Sequence, residues 1–147
     1  MYSSFNNFFR QRYLDRSLDP NSGIRKQDGA MVIASVASNR VGRDLTWDWL
    51  RSNWDKISAY FDTAISSSVG HVIQSIASDF SSELKLKELS EFYETNKADL
   101  GTARKGTEIA IQWVRVNIKW MTNNYETIIN WLADQLADKP IDHRPIE

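Results

Sequence analysis

The sequence has no cysteine and only two histidines, His71 and His143, among its 147 residues. Without thiols, disulfide bonds and thiolate metal sites are excluded. The chain also lacks the His-Glu-x-x-His motif, which places two zinc ligands and a general base on one helix face. It has neither a Gly-x-Ser-x-Gly elbow nor a glycine-rich phosphate loop. We therefore predict no catalytic residue, no cofactor and no metal ligand in this chain.

Charge of one sign is not in excess. Lys and Arg number 18 against 19 Asp and Glu, so the net charge is −1. A field this weak does not attract nucleic acid or anionic lipid, and we predict no nucleic-acid partner. No apolar run approaches the roughly 20 residues of a membrane span, and residues 1–9 do not read as a signal peptide. Direct membrane insertion is not expected, and the compartment is not indicated.

The apolar content, in contrast, is sufficient for a packed core. Hydrophobic residues make up 41% of the chain and aromatic residues 12%, including six tryptophans. A chain of this length is typical of one domain. We predict a single helical domain over residues 1–137 and a loose tail over residues 138–147, which contain Pro140 and Pro145.

Apolar residues recur at helical spacing along most of the domain. One stripe with offsets of 3, 4, 3 and 4 predicts a helix over about residues 43–61; it consists of Trp47, Leu50, Trp54, Ile57 and Phe61. Similar patterns predict helices over about residues 4–18, 24–38 and 102–122, and one after each of the serine clusters 66–68 and 81–82. Asn123 and Glu126 stand at capping-box spacing, which predicts a separate last helix from about Tyr125.

No segment alternates with the period of a strand, so the predicted fold class is all-α. Successive antiparallel helices of this kind form either a bundle or a curved solenoid of hairpins. No repeat of fixed period decides between them. The spacing assigns Trp47, Trp54, Trp113 and Trp120 to the core, and leaves Trp49 and Trp131 as residues that could line a groove or an interface.

Three polar residues are candidates for contact with a substrate or another domain. Arg40 and Arg43 flank Gly42 at a predicted helix start, where a cation gains nothing from the helix dipole. His71 lies on the side of a short helix. Solvent exposure without a function is the alternative interpretation for all three. Asp44, Asp48 and Arg51 stand at helical spacing and are interpreted as a solvated charged face.

Four segments of the sequence resemble one protein family. Asp19–Asp28 reads D-P-N-S-G-I-R-K-Q-D, and residues 34–54 include Ala37-Ser38-Asn39, Gly42, Trp47-Asp48 and Asn53-Trp54 in that order. Residues 79–92 resemble the pattern R-F-S-T-E-x-E-L-x-x-L-x-x-F, and 117–132 contain N-I-K-W followed by W-L. In order and spacing, these segments are similar to the C-terminal region of zinc aminopeptidases of the aminopeptidase N family.

The resemblance implies a non-catalytic C-terminal domain built from HEAT-like or armadillo-like helix hairpins. Such a domain covers the active-site chamber, contributes to peptide access and selectivity, and helps the catalytic part to fold. The implied partners are the catalytic domain of the parent enzyme, peptide substrates and, in some members, a second subunit. Zinc is implied for the parent enzyme alone. The resemblance also suggests where the parent enzyme is located: in a membrane-anchored ectodomain or the secretory pathway, with the cytosol as the alternative.

Two other hypotheses belong to different classes. A free-standing helical-repeat module would bind peptides or proteins on its concave surface. A small oligomer would be held together by the apolar N-terminal helix and would change mass with concentration.

The family also differs from this chain in a loop: its usual glycine pair is replaced here by residues 63–66.

Overall fold

The computed structural model describes residues 2–62 and 67–137, with side chains from residue 8 onward. All regular structure in these ranges is helical, which confirms the all-α class. The helices are α1 (Tyr2–Arg16), α2 (Lys26–Ala37), α3 (Arg40–Ser52), α4 (Trp54–Phe61), α5 (Ser68–Ala77), α6 (Glu83–Asn96) and α7 (Ala103–Ala137). Within residues 2–62 and 67–137, the helices do not combine the length and the apolar character that a membrane span requires.

The helix predicted over residues 43–61 is two helices. α3 ends at Ser52 because the backbone turns at Asn53, with φ −120° and ψ 20°, before α4 begins at Trp54. α3 also begins earlier than predicted, since the Asn39 side chain accepts a 2.8 Å hydrogen bond from the Gly42 N–H and caps a helix that starts at Arg40. The apolar stripe itself is buried as predicted, because both helices turn it inward.

The break predicted near Tyr125 is also wrong. α7 is continuous over 35 residues, a length of about 52 Å. Two polar residues beside the predicted cap, Thr122 and Asn124, bond to the turn before them. Thr122 Oγ1 donates to the Ile118 carbonyl at 3.0 Å, and Asn124 Nδ2 donates to the Trp120 carbonyl at 2.8 Å.

The core is centred on Trp47, whose side chain is fully buried. Its ring meets Phe80 and Phe92 edge to face, with centroids 5.9 and 5.5 Å apart, and Phe92 meets Trp54 at 5.0 Å. Such aromatic pairs contribute beyond their buried area. Around this cluster, α3 packs against α1 and α2, α5 packs against α2 and α7, and α6 packs against α7.

The tryptophan assignments hold only in part. Trp47 and Trp54 are buried, but Trp113 and Trp120 are 44% and 53% exposed, because α7 turns the row of Thr107, Ala110 and Val114 to the core instead. Trp49, left open by the sequence, is only 4% exposed. Its Nε1 donates a 2.8 Å hydrogen bond to Asp15 Oδ1 and so ties α3 to α1.

Two glycines allow α5 and α7 to touch. A Cβ atom on Gly106 would lie 2.9 Å from the Gly70 Cα, closer than real contacts permit. Asn117, further along α7, lies beside Ser78 at the other end of α5, so the two helices run parallel.

The predicted tail, residues 138–147, and the loop of residues 63–66 lie outside the described residues, and the solenoid arrangement stays a prediction.

Candidate functional site

Arg43 lies where three parts of the fold meet. Its guanidinium forms an ion pair with Asp79, which follows α5, and its side chain is only 16% exposed. Asn117 of α7 reaches the same turn, donating from Nδ2 to the carbonyls of Ser78 at 2.8 Å and Phe80 at 3.0 Å. Arg43 is therefore engaged within the domain. A role in contacting a substrate would require this ion pair to open.

Arg40 is placed differently. It is the first residue of α3 and its side chain is exposed. Because a cation at a helix N-terminus opposes the macrodipole, the charge stabilises nothing locally and remains available to a carboxylate from outside. Of the two arginines that flank Gly42, Arg40 is thus the one whose geometry suits contact with another molecule.

His71 lies at the opposite end of α5 from the Arg43–Asp79 pair. It is exposed in the first turn of the helix and lines a cleft of about 190 Å³ with Gln74, Lys105 and Gly106. Eight residues separate His71 from Asp79, which is about 12 Å along the axis of α5. The structure therefore does not bring Arg43 and His71 into one site.

The surroundings of His71 do not fit a zinc ion. Gln74 and Lys105 supply an amide and an ammonium, whereas zinc takes imidazole, thiolate or carboxylate ligands. Across the described residues, no group of three or more His, Cys, Asp or Glu side chains could hold a metal. The cleft offers an ammonium group and an imidazole ring that donates or accepts a hydrogen bond, which suits a polar or acidic group.

A charged cluster joins α3 to α6, and the sequence alone did not predict its centre. Glu88 Oε2 accepts from Trp47 Nε1 at 2.9 Å and lies 3.1 Å from Lys85 Nζ. Lys85 Nζ is also 3.1 Å from Asp44 Oδ1, and Arg51 lies 3.8 Å from Glu88. Lys85 and Glu88 stand three residues apart on α6, a spacing that predicts an ion pair. Their partners on α3 are about 40 residues away in sequence.

The cluster shifts the titration of both central groups. Partial burial works to raise the pKa of Glu88, but the hydrogen bonds from Lys85 and Trp47 hold it below its ordinary value. Partial burial likewise works to lower the pKa of Lys85, and its bonds to Glu88 and Asp44 hold that pKa above the ordinary value. Both shifts favour the charged forms, so the cluster is a structural ion-pair network. Asp48 and Arg51 form the predicted pair beside it at 2.6 Å.

Comparison with known proteins places the chain in a family. The family model described as the ERAP1-like C-terminal domain matches residues 4–116. Bovine aminopeptidase N is 39% identical over 124 residues, which cover 84% of this chain and 13% of the bovine protein. Human aminopeptidase N is 34% identical over the same length, with the same two shares.

Chicken aminopeptidase Ey is 36% identical over 128 residues, or 86% of this chain and 13% of its own length. The chain thus spans about one eighth of the length of these relatives. The resemblance carried by the four sequence segments is confirmed: the chain belongs to the family of ERAP1-like C-terminal domains, the C-terminal domain of aminopeptidase N-like proteins.

Proposed function

We propose that this chain is the non-catalytic C-terminal domain of a zinc aminopeptidase, which covers the active-site chamber and contributes to peptide access, selectivity and folding of the catalytic part. The single observation that carries the proposal is the family match over residues 4–116. Its implied partners are the catalytic domain and peptide substrates. Zinc would belong to the catalytic domain, since the residues around His71 do not fit it.

Two exposed places with basic side chains support a role in positioning peptides. Arg40 is exposed at the start of α3, and His71 and Lys105 line a cleft beside the first turn of α5. Peptides carry a carboxylate at their C-terminus, and both places offer cations to such a group. Contact there would affect substrate affinity rather than the chemical step.

A first experiment tests the absence of catalysis. The purified chain is assayed with alanine p-nitroanilide in the presence of zinc, and its metal content is measured. We expect no hydrolysis above buffer and no stoichiometric zinc. Zinc-dependent hydrolysis that persists through repurification and is abolished by a substitution in this chain would refute the proposal. Tight peptide binding by the isolated chain would instead favour a free-standing peptide-binding module.

A second experiment tests the positioning role. In bovine aminopeptidase N, the segment that this chain matches is replaced by the chain itself. We expect an active hybrid in which Arg40→Glu raises KM for a peptide substrate by roughly 3- to 10-fold and leaves kcat unchanged, as loss of one charged contact would do. Lys56→Glu on α4 is the matched control, because it reverses one exposed charge elsewhere. Equal effects of both substitutions would remove the assignment of Arg40.

A further inference from the structure

One row of side chains runs the whole length of α7. Its buried part consists of Thr107, Ile111 and Val114, which are 0%, 8% and 0% exposed. Without a change of spacing, offsets of 4 and 3 then continue the row through five further residues. We call these five the outer seam: Ile118, Met121, Tyr125, Ile128 and Leu132.

Burial falls along this row although its chemistry does not change. Ile118 and Met121 are half-buried, and Tyr125, Ile128 and Leu132 are 56%, 40% and 43% exposed. The change occurs where α5 ends at Ala77, since Asn117 bonds to the carbonyls just beyond that end. Burial of the row therefore fades near the end of α5, and about 10 Å of it, from Tyr125 to Leu132, is exposed within the described residues.

The outer seam is wider than the seam of a two-stranded coiled coil. Ile129 and Leu136 extend it on one side and Trp131 on the other, all at positions that usually carry charges in a coiled coil. A stripe broadened in this way is typical of a helix that faces a protein core. Asn123 and Asn130 on the opposite face of this half are polar and exposed.

We propose that the outer seam is buried by apolar helices from another part of an aminopeptidase N-like polypeptide, stacked beyond the end of α5. The proposal rests on the proposed function, because it needs the rest of such a polypeptide. Continuity decides the occupant: the seam extends a row that is buried inside the domain as far as Val114, and its width suits more than one helix. A second copy of the chain is the competing occupant.

Cysteine labelling tests the proposal, since the natural chain contains no cysteine. Ile128→Cys places a thiol in the outer seam, and Asn130→Cys places a matched thiol on the opposite face of the same turn. Maleimide labelling rates are measured for both variants in the isolated chain and in the bovine hybrid, with the labelled peptide identified by mass spectrometry. Both positions are exposed, so neither substitution disturbs the core of the domain.

We expect the Ile128→Cys thiol to label at least 10-fold more slowly in the hybrid than in the isolated chain, and the Asn130→Cys thiol to label within twofold of the same rate. An active hybrid with a fast-labelling seam would overturn the inference and leave the proposed function standing. Protection that develops in the isolated chain with rising concentration would assign the seam to a second copy. A hybrid that does not fold would overturn both proposals, because the chain would then not replace the family's domain.

Discussion

The two halves of α7 share one apolar spacing and have opposite environments. The inner half, residues 103–116, contributes Ala103, Thr107, Ala110 and Val114 to the core, each of them fully buried. The outer half, residues 117–137, carries the same apolar spacing but projects past α5. Periodicity in a sequence therefore identifies the face of a helix that is built for contact. Whether a neighbour is present depends on how far the adjacent helices extend.

The largest expected effect comes from placing a charge in each half. Val114→Asp would bury an unpaired carboxylate among α5, α6 and α7, and we expect it to cost about 4 kcal/mol or more of unfolding free energy. Ile129→Asp, on an outer-half residue that is 45% exposed, should change the same quantity by no more than about 0.5 kcal/mol. Urea unfolding of the isolated chain, followed by circular dichroism, measures both. Equal losses would show that the two halves have the same environment.

A smaller effect is expected where the inner half touches α5. Gly106→Ala places a methyl group 2.9 Å from the Gly70 Cα, and the neighbouring atoms belong to the backbone, so the helices must separate. We expect a loss of about 2 kcal/mol, which exceeds the gain in helix propensity. The adjacent exposed Lys105→Ala is the control, and thermal unfolding is the measurement. A more stable Gly106→Ala variant would contradict the close approach.

The sequence was sufficient to predict the buried faces and helix starts that depend on residues close together in the chain. The stripe from Trp47 to Phe61 identified the buried face of α3 and α4, and a serine cluster identified the start of α6, where Ser82 accepts a 3.3 Å hydrogen bond from the Lys85 N–H. It was not sufficient at Asn53 or Asn123. Asparagine ends a helix or continues it depending on the hydrogen-bond partners that are available to its side chain and backbone.

In the candidate site too, local positions could be predicted from the sequence and long-range pairings could not. Arg40 and Arg43 lie in the first turn of α3, near the helix start that the sequence predicted, but Arg43 pairs with Asp79, 36 residues away. The spacing left Trp49 as a residue that could line a groove or an interface, and its partner Asp15 is 34 residues away. Pairings at this distance depend on how the helices pack, which periodicity does not report. The functional roles of Arg40, Arg43 and His71 stay predictions.

The junction between the two halves of α7 can be weakened selectively. Asn117→Ala removes both hydrogen bonds to the turn after α5 and leaves two carbonyl groups without that donor. We expect a loss of about 1 kcal/mol and faster hydrogen exchange at residues 79–82. Asn130→Ala in the outer half should leave exchange at that turn unchanged. An Asn117→Ala variant with normal exchange would mean that packing alone holds the turn.

Acid should produce the smallest change in unfolding free energy. It should act through the charged cluster between α3 and α6 and not through the outer half of α7. The folded-state pKa of Glu88 lies below its ordinary value of 4.5, so its contribution to stability is present above that pH and is lost as pH falls through the folded pKa. Because the cluster meets solvent and salt, we expect about 0.5–1 kcal/mol. Glu88→Gln keeps an acceptor for Trp47 Nε1 but removes the charge, and it should therefore flatten the decline in unfolding free energy between about pH 6 and pH 3. The outer half does not contact this cluster, so Ile129→Asp should leave the Glu88-dependent part of the decline in place. A Glu88→Gln variant with the same pH profile as the natural chain would show that the cluster does not couple titration to folding.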